Sequence, residues 1–179
     1  MPRFVALLRG VNVGKGRRVP MAEFKALLEG LGHGQVQTLL NSGNAVFASS
    51  GRSAQRHAQA IAEALQQRLG LEVPVIVKSA ADWAAVVQGN PMPPPLEDHS
   101  RFLVAFAADA AGLDGLRPLL ALAQAPERLA ITADAAYLHC PQGLLDSPVG
   151  AALLGRPGRA VTTRNWATVL KLAAMLEPG

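Results

Sequence analysis

Val36-Gln37-Thr38-Leu39-Leu40-Asn41-Ser42-Gly43-Asn44-Ala45-Val46-Phe47-Ala48 is the stretch on which the fold turns. Two short apolar runs, Val36–Leu40 and Ala45–Ala48, flank a polar tetrad, Asn41 to Asn44. Gly and Asn tolerate positive φ, so this pattern predicts two strands joined by a hairpin tip. Upstream, Phe4 to Leu8 is another strand-length run. Pro20 suits the first turn of a helix, Glu23 favours its N-terminus, and Met21, Phe24, Leu27, Leu28 and Leu31 recur at helical spacing until Gly32. Downstream, Ser53 begins a helix through Leu69 with Ile61, Leu65 and Leu69 inward, Gly70 caps it, and Val73 to Val77 is a closing β-branched strand. The resulting order, β-α-β-β-α-β, most simply makes a four-stranded antiparallel sheet with two helices on one face, the ferredoxin-like arrangement.

The second half repeats this order in pattern but hardly in residues. Ser79 with Asp82 starts an additional helix carrying Trp83, Val86 and Val87, and Pro91, Pro93, Pro94 and Pro95 follow. Such a cluster continues neither a helix nor a central strand, so residues 91–100 are expected to link a first domain, 1–90, to a second, 101–179. In the second, Phe102 to Phe106 reads as a strand, Leu113 to Ala123 as a helix, and Leu129–Thr132 with Ala136–Cys140 as a hairpin. Ser147 to Leu154 reads as a short helix, and Ala160-Val161 as a residual strand. Thr162 or Thr163 is expected to cap a terminal helix with Val169, Leu170, Leu172, Ala173 and Leu176. The expected class is therefore α+β, two ferredoxin-like antiparallel-sheet units in tandem with a C-terminal helix.

The bulk numbers agree. A chain of 179 residues, half of them apolar, has ample material for packed cores. No apolar run approaches the ~18 residues of a membrane helix, and Met1 to Leu8 is too brief for a secretion signal. One cysteine, Cys140, excludes an intrachain disulfide and fits a reducing cytoplasm, the expected location. A net charge of +4, mostly arginine, favours anions weakly and by itself does not imply nucleic acid.

Polar residues beside glycine mark the candidate sites. Arg9-Gly10-Val11-Asn12-Val13-Gly14-Lys15-Gly16-Arg17-Arg18 leaves the first strand, and strand directions place it at the same end of the sheet as Asn41 to Asn44. A Walker loop needs four residues between its glycines and Ser or Thr after the lysine, whereas Gly10 and Gly14 enclose three and Gly16 follows Lys15. The dinucleotide glycine spacing fails as well. What remains is a general anion cradle, in which loop amides near a helix start join Arg9, Asn12, Lys15, Arg17 and Arg18, with Ser42 and Asn44 from the hairpin. A solvated loop whose glycines only permit the turn, and Asn41 and Asn44 serving turn chemistry alone, explain the same residues. In Thr162-Thr163-Arg164-Asn165-Trp166, capping accounts for a threonine and packing for Trp166, which leaves Arg164 and Asn165 as a second candidate pair. In the second sheet, Pro141 to Ser147 is expected beside Thr162 to Asn165.

Three blocks carry a family resemblance: FVALLRGVNVGKGRRVPM (4–21), LLNSGNAVF (39–47) and TTRNWATVLKLAAML (162–176). Over essentially its whole length the chain resembles the uncharacterised bacterial family catalogued as domain of unknown function 1697. The resemblance implies two linked ferredoxin-like units and brings no established activity. Many members have Ser-Lys-Leu where this chain has Ser147-Pro148-Val149, followed by Gly150 and Ala151, and an asparagine where it has Ala167. The lysine on which a second-half site would depend is absent here.

Other chemistries have less support. His139 and Cys140 are neighbours on a strand and point to opposite faces, so they form no direct dyad, and Cys140 reads as a small core residue. His33, His57 and His99 sit singly, without metal-site spacing. Glu97-Asp98-His99 reads as solvated loop. No catalytic residue and no cofactor is implied. Single-strand RNA binding needs exposed aromatics, and Phe4 and Phe47 read as core, so nucleic acid is not the expected partner. The reading is a site for a small anionic or phosphorylated ligand at the first sheet's rim; its rival is a non-enzymatic protein- or nucleic-acid-interaction module. Ligand identity and oligomeric state are not encoded legibly.

Overall fold

The apolar runs of the first half become strands β1 (Arg3–Leu8), β2 (Gly34–Leu39), β3 (Asn44–Ala48) and β4 (Val75–Ser79), hydrogen-bonded in the order β2-β3-β1-β4. Every pairing is antiparallel, with Phe4 opposite Phe47 and Leu7 opposite Asn44 across β1 and β3. Pro74 offers no N–H to a ladder, so β4 begins after it, two residues later than the apolar run alone indicates. Helix α1 (Met21–Gly30) starts directly behind Pro20, whose carbonyl accepts the Phe24 N–H at 3.0 Å. Helix α2 (Ala54–Leu69) is capped by the Ser53 hydroxyl, which accepts the Arg56 amide at 3.2 Å, and closed by Gly70 at φ 66°. Phe4, Ala6 and Leu8 alternate onto the helix side of β1 and pack with Phe24, Leu27, Leu28, Ile61 and Leu65 in one buried cluster.

This computed structural model describes residues 1–178. Its contacts form two units, one running from Met1 to Trp83 and including the chain from Leu172 on, the other spanning Ala84–Lys171. Helix α3 (Ala80–Gln88) follows β4 directly, and the Ser79 hydroxyl accepts the Asp82 amide at 3.1 Å.

The second unit holds β5 (Phe102–Ala107), α4 (Ala110–Asp114), β6 (Arg128–Ile131), β7 (Ala136–His139), α5 (Pro148–Leu154), β8 (Val161–Asn165) and the start of α6 (Trp166–Leu176). Its strands lie antiparallel in the order β6-β7-β5-β8. The chain is thus a mixed α+β protein with two four-stranded antiparallel sheets.

Two sequence expectations need correction here. The helix expected over Leu113–Ala123 is a short α4 followed by a 3-10 turn at Arg117–Ala121. Gly115 ends α4, and Pro118 cannot supply the N–H that an unbroken helix would need. Thr162 and Thr163 do not cap the terminal helix but lie in the strand β8, paired with β5 from Val161 opposite Ala107 to Asn165 opposite Leu103. β-branched Val161, Thr162 and Thr163 suit that pleated position. Only the Asn165 end of β8 therefore lies at the end of the sheet from which Pro141 departs. Leu103, Ala105, Leu138, Cys140, Val149, Leu153 and Val161 form this unit's helix-side core.

Candidate functional site

Loop residues 9–18 leave β1 and fold into a closed turn. Gly10, Asn12 and Gly14 all take positive φ (69°, 58° and 54°). Val11 bridges Arg17, and the Asn12 N–H donates to the Arg17 carbonyl at 2.7 Å. Asn is among the few side-chain-bearing residues that occupy this backbone region readily, and here its side chain is used completely. Its Oδ1 accepts the Val19 N–H at 2.9 Å, while Nδ2 donates to the carbonyls of Val19 at 2.8 Å and Asn41 at 2.6 Å.

The last of these bonds ties the loop to the hairpin tip. A second tie runs from the Leu8 N–H to the Gly43 carbonyl at 2.9 Å. Gly43, at φ 87°, lies so close to β1 that an added Cβ would sit 2.7 Å from the Leu8 Cβ. Asn44 is fully buried and donates Nδ2 to the Leu39 carbonyl at 3.0 Å and the Ser42 hydroxyl at 2.9 Å. The two turns are thus neighbours at one rim. Asn12, Ser42 and Asn44 build the frame rather than point outward.

The cations stand on that frame. Lys15, Arg17 and Arg18 are exposed, and Arg9 is partly buried, with its N–H donating to the Pro74 carbonyl at 3.0 Å. The Arg18 guanidinium donates to the Gly14 carbonyl. Among the described residues, no carboxylate lies within ion-pair distance of Lys15, Arg17 or Arg18. Val13 and Leu40 add exposed apolar surface to the same two turns.

The second candidate pair is placed differently. Arg164 is 8% exposed on β8 and donates Nη1 to the Thr162 hydroxyl and the Thr163 carbonyl, both at 2.8 Å. Burial pushes its guanidinium down to about 10. Asn165 Oδ1 accepts the Thr168 N–H at 2.9 Å, so Asn165 caps α6 where a threonine was expected to.

Three polar clusters escape a reading of the sequence. His33 and His57 meet edge to face at 5.0 Å and pack on Phe47 and Phe4 at 4.4 and 4.7 Å between ring centroids. Both phenylalanines are buried, so neither ring is a platform for stacking bases. Asp98, expected to be solvated, accepts from His139 Nε2 at 2.9 Å and lies 3.6 Å from Arg101. Glu127 Oε1 accepts from the Ser147 hydroxyl and from the Cys140 thiol at a cavity of about 220 Å³. Burial foremost, with the Glu127 carboxylate adding to it, pushes the Cys140 thiol up to about 11, which makes it a poor nucleophile. No local pattern announces these pairs, because each joins elements remote in sequence. Among the described residues, no three His, Cys, Asp or Glu side chains are grouped to hold a metal ion, and no helix is long and apolar enough to cross a membrane.

The loop, the hairpin and the first sheet all lie within the segment that matches a family model. The profile of the family described as "Protein of unknown function (DUF1697)" matches residues 1–137. The chain belongs to this family. Its C-terminal block, 162–176, lies beyond the matched segment. The chain is also similar to the solved structure of the conserved bacterial protein SP0830 from Streptococcus pneumoniae, with 26% identity and a TM-score of 0.74 over 98% of this chain and 99% of that one. No curated protein matches this chain.

Proposed function

We propose that this chain is a cytoplasmic protein of two ferredoxin-like units that binds a small anionic or phosphorylated ligand at the rim of the first. The strand order β2-β3-β1-β4, with α1 and α2 joining the strands in β-α-β-β-α-β sequence, supports the fold reading. The observation that carries the site is the Asn12 clamp. It fixes a glycine-rich loop against the hairpin tip while Lys15, Arg17 and Arg18 remain without a carboxylate partner. A preformed loop does not have to be ordered when the ligand arrives, and guanidinium forks match phosphate or carboxylate oxygens. Arg9 joins the same rim. Electrostatic holding of an anionic group is the chemistry this arrangement offers, and no residue is assigned a catalytic step.

A second reading, a non-enzymatic interaction module, draws on Val13 and Leu40, which are 58% and 56% exposed on the same two turns. Apolar tips among cations fit a macromolecular partner better than a small ligand.

A thermal-shift screen of nucleotides, phosphosugars and acidic metabolites separates the two. A stabilising compound whose effect disappears in Arg17→Ala plus Arg18→Ala supports the ligand site. Silence throughout that screen, with a salt-sensitive mobility shift of RNA or DNA or capture of a protein through Val13 and Leu40, supports the module.

A further inference from the structure

The opposite end of the first sheet carries a cavity of about 420 Å³ that the rim site does not involve. Register fixes the separation. The rim lies where Leu7 pairs with Asn44, whereas the cavity lies beyond Arg3 and Ala48, at the other end of the same ladder. Its walls include His33, Ser49, Arg52, Ser53, Arg56 and His57, and no carboxylate is among its lining residues.

Two imidazoles form its floor. His57 is 8% exposed, and its Nε2 bonds the Gly51 carbonyl at 2.8 Å, so that nitrogen carries the proton. His33 Nε2 is buried and has no hydrogen-bond partner among the described residues. Burial, and then the neighbouring His57, lower the affinity of His33 for a proton. The ring is therefore harder to charge than a free imidazole.

We propose that this cavity is a second ligand site that takes the phosphate group of a small molecule. Arg52 and Arg56 supply the charge, the Ser49 and Ser53 hydroxyls donate, and the His33 ring lines the pocket close enough to feel the bound charge. Two guanidinium forks and two hydroxyls offer more donors than a carboxylate accepts, and they suit a phosphate's three free oxygens. The end of α2 is not what holds the anion, since Ser53 already takes the Arg56 amide. Gly51 keeps the entrance close to the floor, because a Cβ there would lie 3.1 Å from the His57 ring.

Proton NMR of the two imidazole rings, titrated with inorganic phosphate against chloride of equal ionic strength, tests the site. The His33 ring signal is expected to move saturably and its proton affinity to rise as phosphate binds. Arg52→Ala plus Arg56→Ala is expected to weaken the effect by roughly tenfold or more, about the loss of one charge-assisted contact. Arg17→Ala plus Arg18→Ala leaves it unchanged, so failure of the rim site and failure of this one read differently. Imidazole signals that ignore phosphate, or that respond equally in Arg52→Ala plus Arg56→Ala, overturn the proposal.

Discussion

The Asn12 side-chain amide donates to the Asn41 carbonyl at 2.6 Å across 29 positions of sequence. One residue thus joins the loop that leaves β1 to the tip that joins β2 and β3, and it does so from a left-handed backbone conformation. Asn12→Ala removes three hydrogen bonds and places an ill-suited residue at φ 58°. The expected loss is about 2–3 kcal/mol, seen as a lower urea midpoint with an unchanged slope. Asn12→Gly keeps the conformation but not the clamp. It is expected to cost about 1 kcal/mol less than the alanine variant.

Gly43 and Gly14 both have positive φ, yet they differ in surroundings. A Cβ on Gly43 meets Leu8 at 2.7 Å and Val11 at 2.9 Å, whereas nothing lies within 4 Å at Gly14. Gly43→Ala is expected to lower stability by about 2–4 kcal/mol and Gly14→Ala by only about 1. Equal melting temperatures for the two variants would contradict this placement of the hairpin against β1.

Part of this rim is legible in the sequence. Strand direction alone brought 9–18 and 41–44 to one rim, because apolar runs and turn residues fix the β-α-β-β order. The uses of Asn12 and Asn44 were not legible, since an asparagine in a turn reads alike whether it faces a ligand or its own backbone. Thr162 and Thr163 resembled a cap because strand and cap both favour threonine. Only the pairing with β5 separates the two readings. The pairing of His33 with His57 left no trace in spacing, because the turn before β2 and helix α2 carry one histidine each to the cavity.

Acid is expected to weaken the fold through His33. Its proton affinity is lowered in the folded state, so as pH falls through 6.5, the ordinary value, the unfolded chain takes up the proton first. The stability that neutral His33 provides is complete above that pH and is lost on descent toward the lower folded value. Urea midpoints measured from about pH 7.5 down to pH 5 should fall less steeply in His33→Gln than in the unaltered chain.

Alkali acts on Cys140 in the opposite sense. Its thiol is raised from 9.0 to about 11, so its contribution is intact below pH 9 and fades as pH climbs toward 11. Near pH 8 the native thiolate population is roughly 100-fold smaller than in the unfolded chain. A disulfide reagent is accordingly expected to label Cys140 promptly in urea and very slowly without it.

The rim site itself is tested most directly by following backbone amide signals of isotope-labelled protein during titration with inorganic pyrophosphate. Saturable shifts are expected in residues 10–18 and 41–44, weakened by roughly tenfold in Arg17→Ala plus Arg18→Ala. Amides of these two turns that stay still, or that shift with the same affinity in the double variant, would contradict an anion site on the Asn12-clamped loop.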